Sequence, residues 1–107
     1  MPFTIKLLDH GISNGSTKVL YTVDASALGA IVSNVRLVNT GGSAAAVNLY
    51  YKPNGGSQVR ILDRDKSIPA SEIVVVKPEL TMAASDKIEL VTTSTSVEFV
   101  VSGMERV

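Results

Sequence analysis

Val97-Glu98-Phe99-Val100-Val101-Ser102 decides the fold: Val97, Phe99 and Val101 oppose Glu98, Val100 and Ser102. A period of two sends alternate side chains to opposite faces of an extended strand, one set into a core and the other outward. The same reading extends along the chain. Val35, Leu37 and Asn39 oppose Asn34, Arg36 and Val38; Val47, Leu49 and Tyr51 oppose Asn48, Tyr50 and Lys52; Ile88, Leu90 and Thr92 oppose Lys87, Glu89 and Val91. Phe3 to Leu7 alternates, and Thr17 to Val23 alternates with Val19, Tyr21 and Val23 on one face. Between these stretches lie turn signals: Gly11–Gly15, Asp24–Ser26, Gly41-Gly42-Ser43, Pro53-Asn54-Gly55-Gly56, Asp63–Lys66, Pro69-Ala70-Ser71, Ala84-Ser85-Asp86 and Ser94. They recur at the spacing of about 8–12 residues typical of sandwiches and barrels. The one helical candidate, Ala25–Ile31, is weakened by Gly29 and the β-branched residues after it.

Ile73-Val74-Val75-Val76 departs from alternation, being apolar on both faces. Either it is buried on both sides or one face meets another molecule. Such a run is an aggregation hazard when exposed, and Glu72 and Lys77 flank it as charged gatekeepers. Counting gives about eight strands, which fits two packed antiparallel sheets. The expectation is an all-β, two-sheet antiparallel β-sandwich, jelly-roll-like or alternatively Ig-like, forming a single domain over residues 1–107. Both termini are expected to be held in strands, at an interface, or both.

Composition narrows the function. The chain has 107 residues, 45% of them hydrophobic and 19% charged. That is enough for one core, with a charge density below the usual quarter. Ten basic and ten acidic residues give zero formal net charge, which argues against a polyanion partner such as nucleic acid. A near-neutral domain resists self-association poorly; it is either an ordinary neutral protein or one built to assemble. No cysteine is present, so disulfides, thiolate zinc sites and thiol nucleophiles are excluded. No apolar run is long enough to span a bilayer and no signal-peptide pattern opens the chain, so no membrane partner and synthesis in a cytoplasm are expected.

No catalytic centre emerges. The single histidine, His10, has Asp9 beside it in sequence, and in a strand that neighbour points to the other face. Asp63-Arg64-Asp65-Lys66 begins like a cation loop but lacks the glycine and distal glutamate of an EF-hand, so a solvated turn is the simpler reading. Gly41-Gly42-Ser43 and Gly55-Gly56-Ser57 lack the Gly-Lys-Ser/Thr ending of a phosphate loop, and both read as hairpin turns. Ser102-Gly103 carries no nucleophile-elbow signature. The expectation is a non-enzyme without cofactor or metal. Aromatic residues are 5% of the chain, too few for the platforms of sugar or single-strand readers. Of the adjacent Tyr50 and Tyr51, one should face inward. The outward one either marks a contact or lies over its own sheet.

One set of residues resembles a known group. Thr22-Val23, an Ala- and Gly-containing turn, Ala30-Ile31-Val32-Ser33-Asn34-Val35-Arg36-Leu37-Val38-Asn39-Thr40, Ala46-Val47-Asn48-Leu49-Tyr50, Ile88-Glu89-Leu90-Val91 and Val97-Glu98-Phe99-Val100-Val101-Ser102-Gly103-Met104-Glu105 together resemble small β-sandwich virion proteins of tailed bacteriophages. The resemblance covers most of the chain from Lys18 onward. It implies a virion structural protein made in the host bacterial cytoplasm and carried on the capsid surface. There it would act as a decoration or cement protein that binds the outer shell and bridges capsomers. The implied partners are the major capsid protein and copies of itself, as a trimer or dimer. The alternative is a tail or fibre accessory, or receptor-binding, module. The chain has no collagen-like or coiled-coil extension, which favours decoration over fibre. Candidate interface residues are Phe3, Ile5 and Leu7; Tyr50; Asn54, Asp63 and Arg64 in loops; and Ile73, Val74, Val75 and Val76.

Overall fold

A computed structural model describes the backbone of residues 3–106 and the side chains of residues 8–106. Met1, Pro2 and Val107 lie outside the described residues, as do the side chains of Phe3, Ile5 and Leu7. The strands run β1 (Phe3–Ile12), β2 (Thr17–Thr22), β3 (Gly29–Asn39), β4 (Ala45–Lys52), β5 (Val59–Arg60), β6 (Lys66–Ile68), β7 (Ile73–Val76), β8 (Leu80–Met82), β9 (Lys87–Thr92) and β10 (Val97–Arg106). All pairings are antiparallel.

The first sheet has the order β1-β10-β3-β7, with β8 also on β3; the second has β2-β9-β4-β5, with β6 also on β4. The short pairs β5/β6 and β7/β8 each occupy one strand position in two pieces, which leaves four positions per sheet. The chain crosses between sheets after β1, β2, β3, β6, β8 and β9. This double Greek-key wrapping is a jelly roll, not an Ig-like sandwich.

The alternation seen in sequence places Val35, Leu37, Val47, Leu49, Ile88, Leu90, Val97, Phe99 and Val101 in the core between the sheets. Burying a side chain of this kind contributes about 1.5–3 kcal/mol, so the inward faces are what hold the sheets together. Glu105 and Tyr21 are also buried there, and the Tyr21 hydroxyl donates to the Glu105 carboxylate. Burial, then that hydrogen bond, holds the Tyr21 phenol far above its ordinary value. Among the described residues, every buried side-chain nitrogen and oxygen has a partner.

Four local expectations are corrected. First, Val19 does not share the face of Tyr21 and Val23. A β-bulge between Val19 and Tyr21 gives Leu20 the inward position, and Val19 is 40% exposed. Second, Gly11 is inside β1 rather than in a turn. It sits opposite Phe99, and a Cβ there would lie 3.0 Å from the ring's Cζ, so the missing side chain makes room for the buried ring. Third, Gly41-Gly42-Ser43 is not a hairpin turn but the arch from the first sheet to the second. Fourth, Ala25–Ile31 is no helix. The Asp24 carboxylate accepts from the Ser26 amide and hydroxyl, closing a turn, and β3 opens at Gly29.

Two polar clips fix the ends of the sandwich. Asn39 is fully buried at the end of β3; its Nδ2 donates to the carbonyls of Ser43 (2.8 Å) and Ile68 (2.9 Å), and its Oδ1 accepts from the Gly41 amide (3.0 Å). At another arch, the Asp86 carboxylate accepts from the Tyr51 hydroxyl (2.6 Å) and the amides of Asn54 (2.9 Å) and Ala83 (2.9 Å). Burial pushes the Asp86 carboxyl upward, but these three donors outweigh it and hold it below its ordinary value.

Candidate interaction surface

The outward residues of each sheet form one outer face, and the two faces differ in chemistry. On the second sheet the polar groups bond one another. Arg60 donates to Asn48 Oδ1 (2.7 Å) and to the Tyr50 hydroxyl (2.8 Å), and its guanidinium lies 4.9 Å from the Tyr50 ring centroid. Asn48 donates to Asp65 (2.9 Å) and accepts from the Asp65 amide (2.9 Å), while Gln58 donates to Glu89 (2.6 Å). The Gln58 contact accompanies the burial of Glu89 although its strand face points outward. This face is internally satisfied, and Tyr50 lies over its own sheet.

The outer face of the first sheet is built differently. Strand register sets two cross-strand rows: Ile12, Glu98, Val38, Ile73, and beside it His10, Val100, Arg36, Val75. Ile12 is 46% exposed, and Ile73 and Val75 are each 49% exposed. Val38 and Val100 are half-buried between their neighbours. Glu98 and Arg36 are exposed and make no ion pair among the described residues. A depression of about 530 Å³ runs along His10, Ile12, Glu98 and Val100. Aliphatic side chains standing in solvent around one acid and one base are a surface suited to burial against protein.

The sequence-derived candidates separate on this map. Ile73 and Val75 point outward, whereas Val74 and Val76 pack against the core. The doubly apolar run is therefore an edge strand with one face inside and one outside. Asn54 is exposed between β4 and β5, with its amide held by Asp86. Asp63 and Arg64 are exposed between β5 and β6. Tyr50 belongs to the opposite face of the sandwich from Ile73 and Val75. Ile12, Val38 and Val100, together with Arg36 and Glu98, are surface members that the candidate set lacks. The signal for Val38 and Val100 is present in the sequence: both are aliphatic at positions that alternation sends outward.

Among the described residues, no three His, Asp or Glu side chains gather as metal ligands. His10 lies exposed in β1 on the outer face of the first sheet.

No family model and no curated protein matches the sequence. Solved structures do share its fold. The core of Drosophila NLP, from a crystal structure reported to give insight into pentamer formation and histone binding, matches at TM-score 0.53 and 13% identity, covering 98% of each chain. A chain of infectious bursal disease virus, Gx strain, matches at TM-score 0.52 and 14% identity, covering 97% of this chain and 31% of that one. The Gt strain gives TM-score 0.50 and 11% identity, covering 97% of this chain and 30% of the viral one. At such identities the likeness establishes the β-sandwich fold.

Proposed function

We propose that this chain is a non-catalytic virion structural protein of the tailed-bacteriophage kind: a decoration or cement protein on the capsid surface. It binds the shell of major capsid protein and stabilises contacts between capsomers. The observation that carries the reading is the outer face of the first sheet, where Ile12, Ile73 and Val75 stand about half exposed around Val38 and Val100. A free-standing domain gains nothing from such a face, and a component of an assembly buries it.

Two further observations support it. The whole sandwich corresponds to part of a chain found in a virus, and the sequence resembles small phage virion β-sandwiches from Lys18 onward. Asn54, Asp63 and Arg64, exposed in the loops flanking β5, are the polar groups available to the shell. A histone-binding role of the kind named for Drosophila NLP gains no support from ten basic and ten acidic residues. Strongly basic partners select acidic surfaces.

Quantitative mass spectrometry of purified virions of the encoding phage tests the proposal. A copy number comparable with the major capsid protein is expected. Absence from the particle refutes it, and a few copies per particle points to the tail instead.

A further inference from the structure

We propose that the outer face of the first sheet pairs with the same face of a second copy about a two-fold axis running along the diagonal from Val100 to Val38. The inference rests on the reading of this face as the assembly surface, and it names the occupant. The loops carrying Asn54, Asp63 and Arg64 stay free for the shell.

The geometry is self-complementary. Glu98 pairs with Val38 and Val100 with Arg36, so these four residues form one block with the acid and the base on one diagonal and two valines on the other. An isologous contact requires a surface that complements itself. Rotation about the valine diagonal places Val100 against Val100 and Val38 against Val38. It also exchanges the acid and the base.

Strands lie about 4.8 Å apart, and same-face residues lie about 6.8 Å apart along each strand. Projected on that grid, the rotation puts Glu98 of one copy over the other copy's Arg36 with a lateral offset of about 3 Å, and Arg36 likewise over Glu98, so that the two long side chains meet across the roughly 10 Å between stacked sheets. The same rotation puts Ile12, at one edge of the sheet, over the partner's Val75, near the other edge, with a lateral offset of about 3 Å. The contact thus holds two ion pairs in reciprocal positions, with aliphatic contacts at the centre and flanks.

Charge and area agree with this arrangement. Neither Arg36 nor Glu98 has an ion-pair partner among the described residues, although diagonal neighbours on a sheet lie about 7–8 Å apart, within reach of long side chains. Three strands of ten or eleven residues and the two short pieces β7 and β8 make a face of about 600 Å²; the axis lies near one end of the strands and overlaps about half of it, the scale of a weak contact rather than a standard interface. Zero net charge leaves no long-range repulsion between copies.

Sedimentation equilibrium on the full chain and two charge reversals tests the arrangement. Wild type is expected to dimerise with a Kd in the micromolar range. Arg36→Glu and Glu98→Arg should each weaken dimerisation by about 100-fold, because each sets like charges together twice. An equimolar mixture of the two variants should recover the dimer, since the heterodimer holds one native and one reversed pair. The double variant R36E/E98R should recover it alone. Circular dichroism should show all variants folded, as both positions are exposed.

A wild type that stays monomeric at concentrations on the order of 100 µM overturns the inference. So does a dimer indifferent to both reversals, or a mixture that fails to recover. A monomer that is abundant in virions overturns this pairing and leaves the shell role standing, whereas a dimer absent from virions does the reverse.

Discussion

Replacing Asn39 by leucine tests whether the buried polar clip, rather than hydrophobic contact alone, closes the arch between the sheets. The substitution keeps the side chain's approximate shape and removes three hydrogen bonds: to the carbonyls of Ser43 and Ile68 and from the Gly41 amide. Ile68 is fully buried, so the loss of the Asn39 donor at its carbonyl, where water cannot take its place, costs about 2 kcal/mol. Ser43 is exposed and Gly41 half-buried, so water replaces part of what they lose, and each costs about 0.5–1 kcal/mol. The added apolar burial of leucine offsets about 1 kcal/mol. The net loss is about 2–3 kcal/mol, which lowers the melting temperature by about 10–20 °C in a domain of this size. Urea unfolding followed by far-ultraviolet circular dichroism reads this as a lower midpoint at unchanged slope.

Asn39→Asp is the companion experiment. Its carboxylate keeps the acceptor for Gly41 but faces two carbonyls in a buried site, so its folded-state pKa is raised. A raised folded pKa makes the variant's deficit smallest below the ordinary aspartate value of 3.8. The deficit grows as pH rises through the folded value. A loss below about 1 kcal/mol in Asn39→Leu at unchanged slope, or an Asn39→Asp deficit that does not vary with pH, refutes the reasoning.

Two further outcomes follow from the structure. Asp86→Asn removes the charged acceptor of three donors and should cost about 2–3 kcal/mol at pH 7. In the wild type the Asp86 contribution is complete above the ordinary value of 3.8 and disappears as pH falls through the lower folded value. The variant's acid unfolding curve should therefore be flatter there, and a wild-type and variant pair with parallel curves would contradict the assignment. Gly103→Ala puts a Cβ onto the Ile31 carbonyl oxygen and 3.1 Å from Val32 Cα, at the bulge where β10 shifts register against β3. Backbone must move on both strands, so a loss of about 3 kcal/mol or more is expected by chemical denaturation, and a neutral alanine would mean the bulge relaxes freely.

Much of the fold is legible in the amino-acid sequence. Strand faces in β3, β4, β9 and β10 follow from their alternation, because a pleated backbone has no other way to bury one side. Alternation misplaces Val19 because a bulge adds a residue without any marker in local composition. It misses β5, β6 and β8, which at two or three residues each are too short to show a period. The glycines are ambiguous for a related reason. Gly11 and Gly41 both resemble turn residues in sequence, yet one accommodates the Phe99 ring inside a strand and the other spans two sheets.

The candidate surface divides in the same way. The outward positions of Val38 and Val100 follow from the order of residues alone, as does the lack of any cluster of chemistry-bearing residues around His10 along the chain; which side of the uniformly apolar Ile73–Val76 run faces out does not. It takes the folded sheets to bring these valines and isoleucines, drawn from β3, β7 and β10, onto one face with Ile12 of β1, and to assign Tyr50 and the β5–β6 loop to the other sheet. The physical reason is that side-chain direction along one strand is a local property of the pleat. Which strands lie side by side is set instead by long-range pairing, and pairing joins residues as far apart as Ile12 and Glu98.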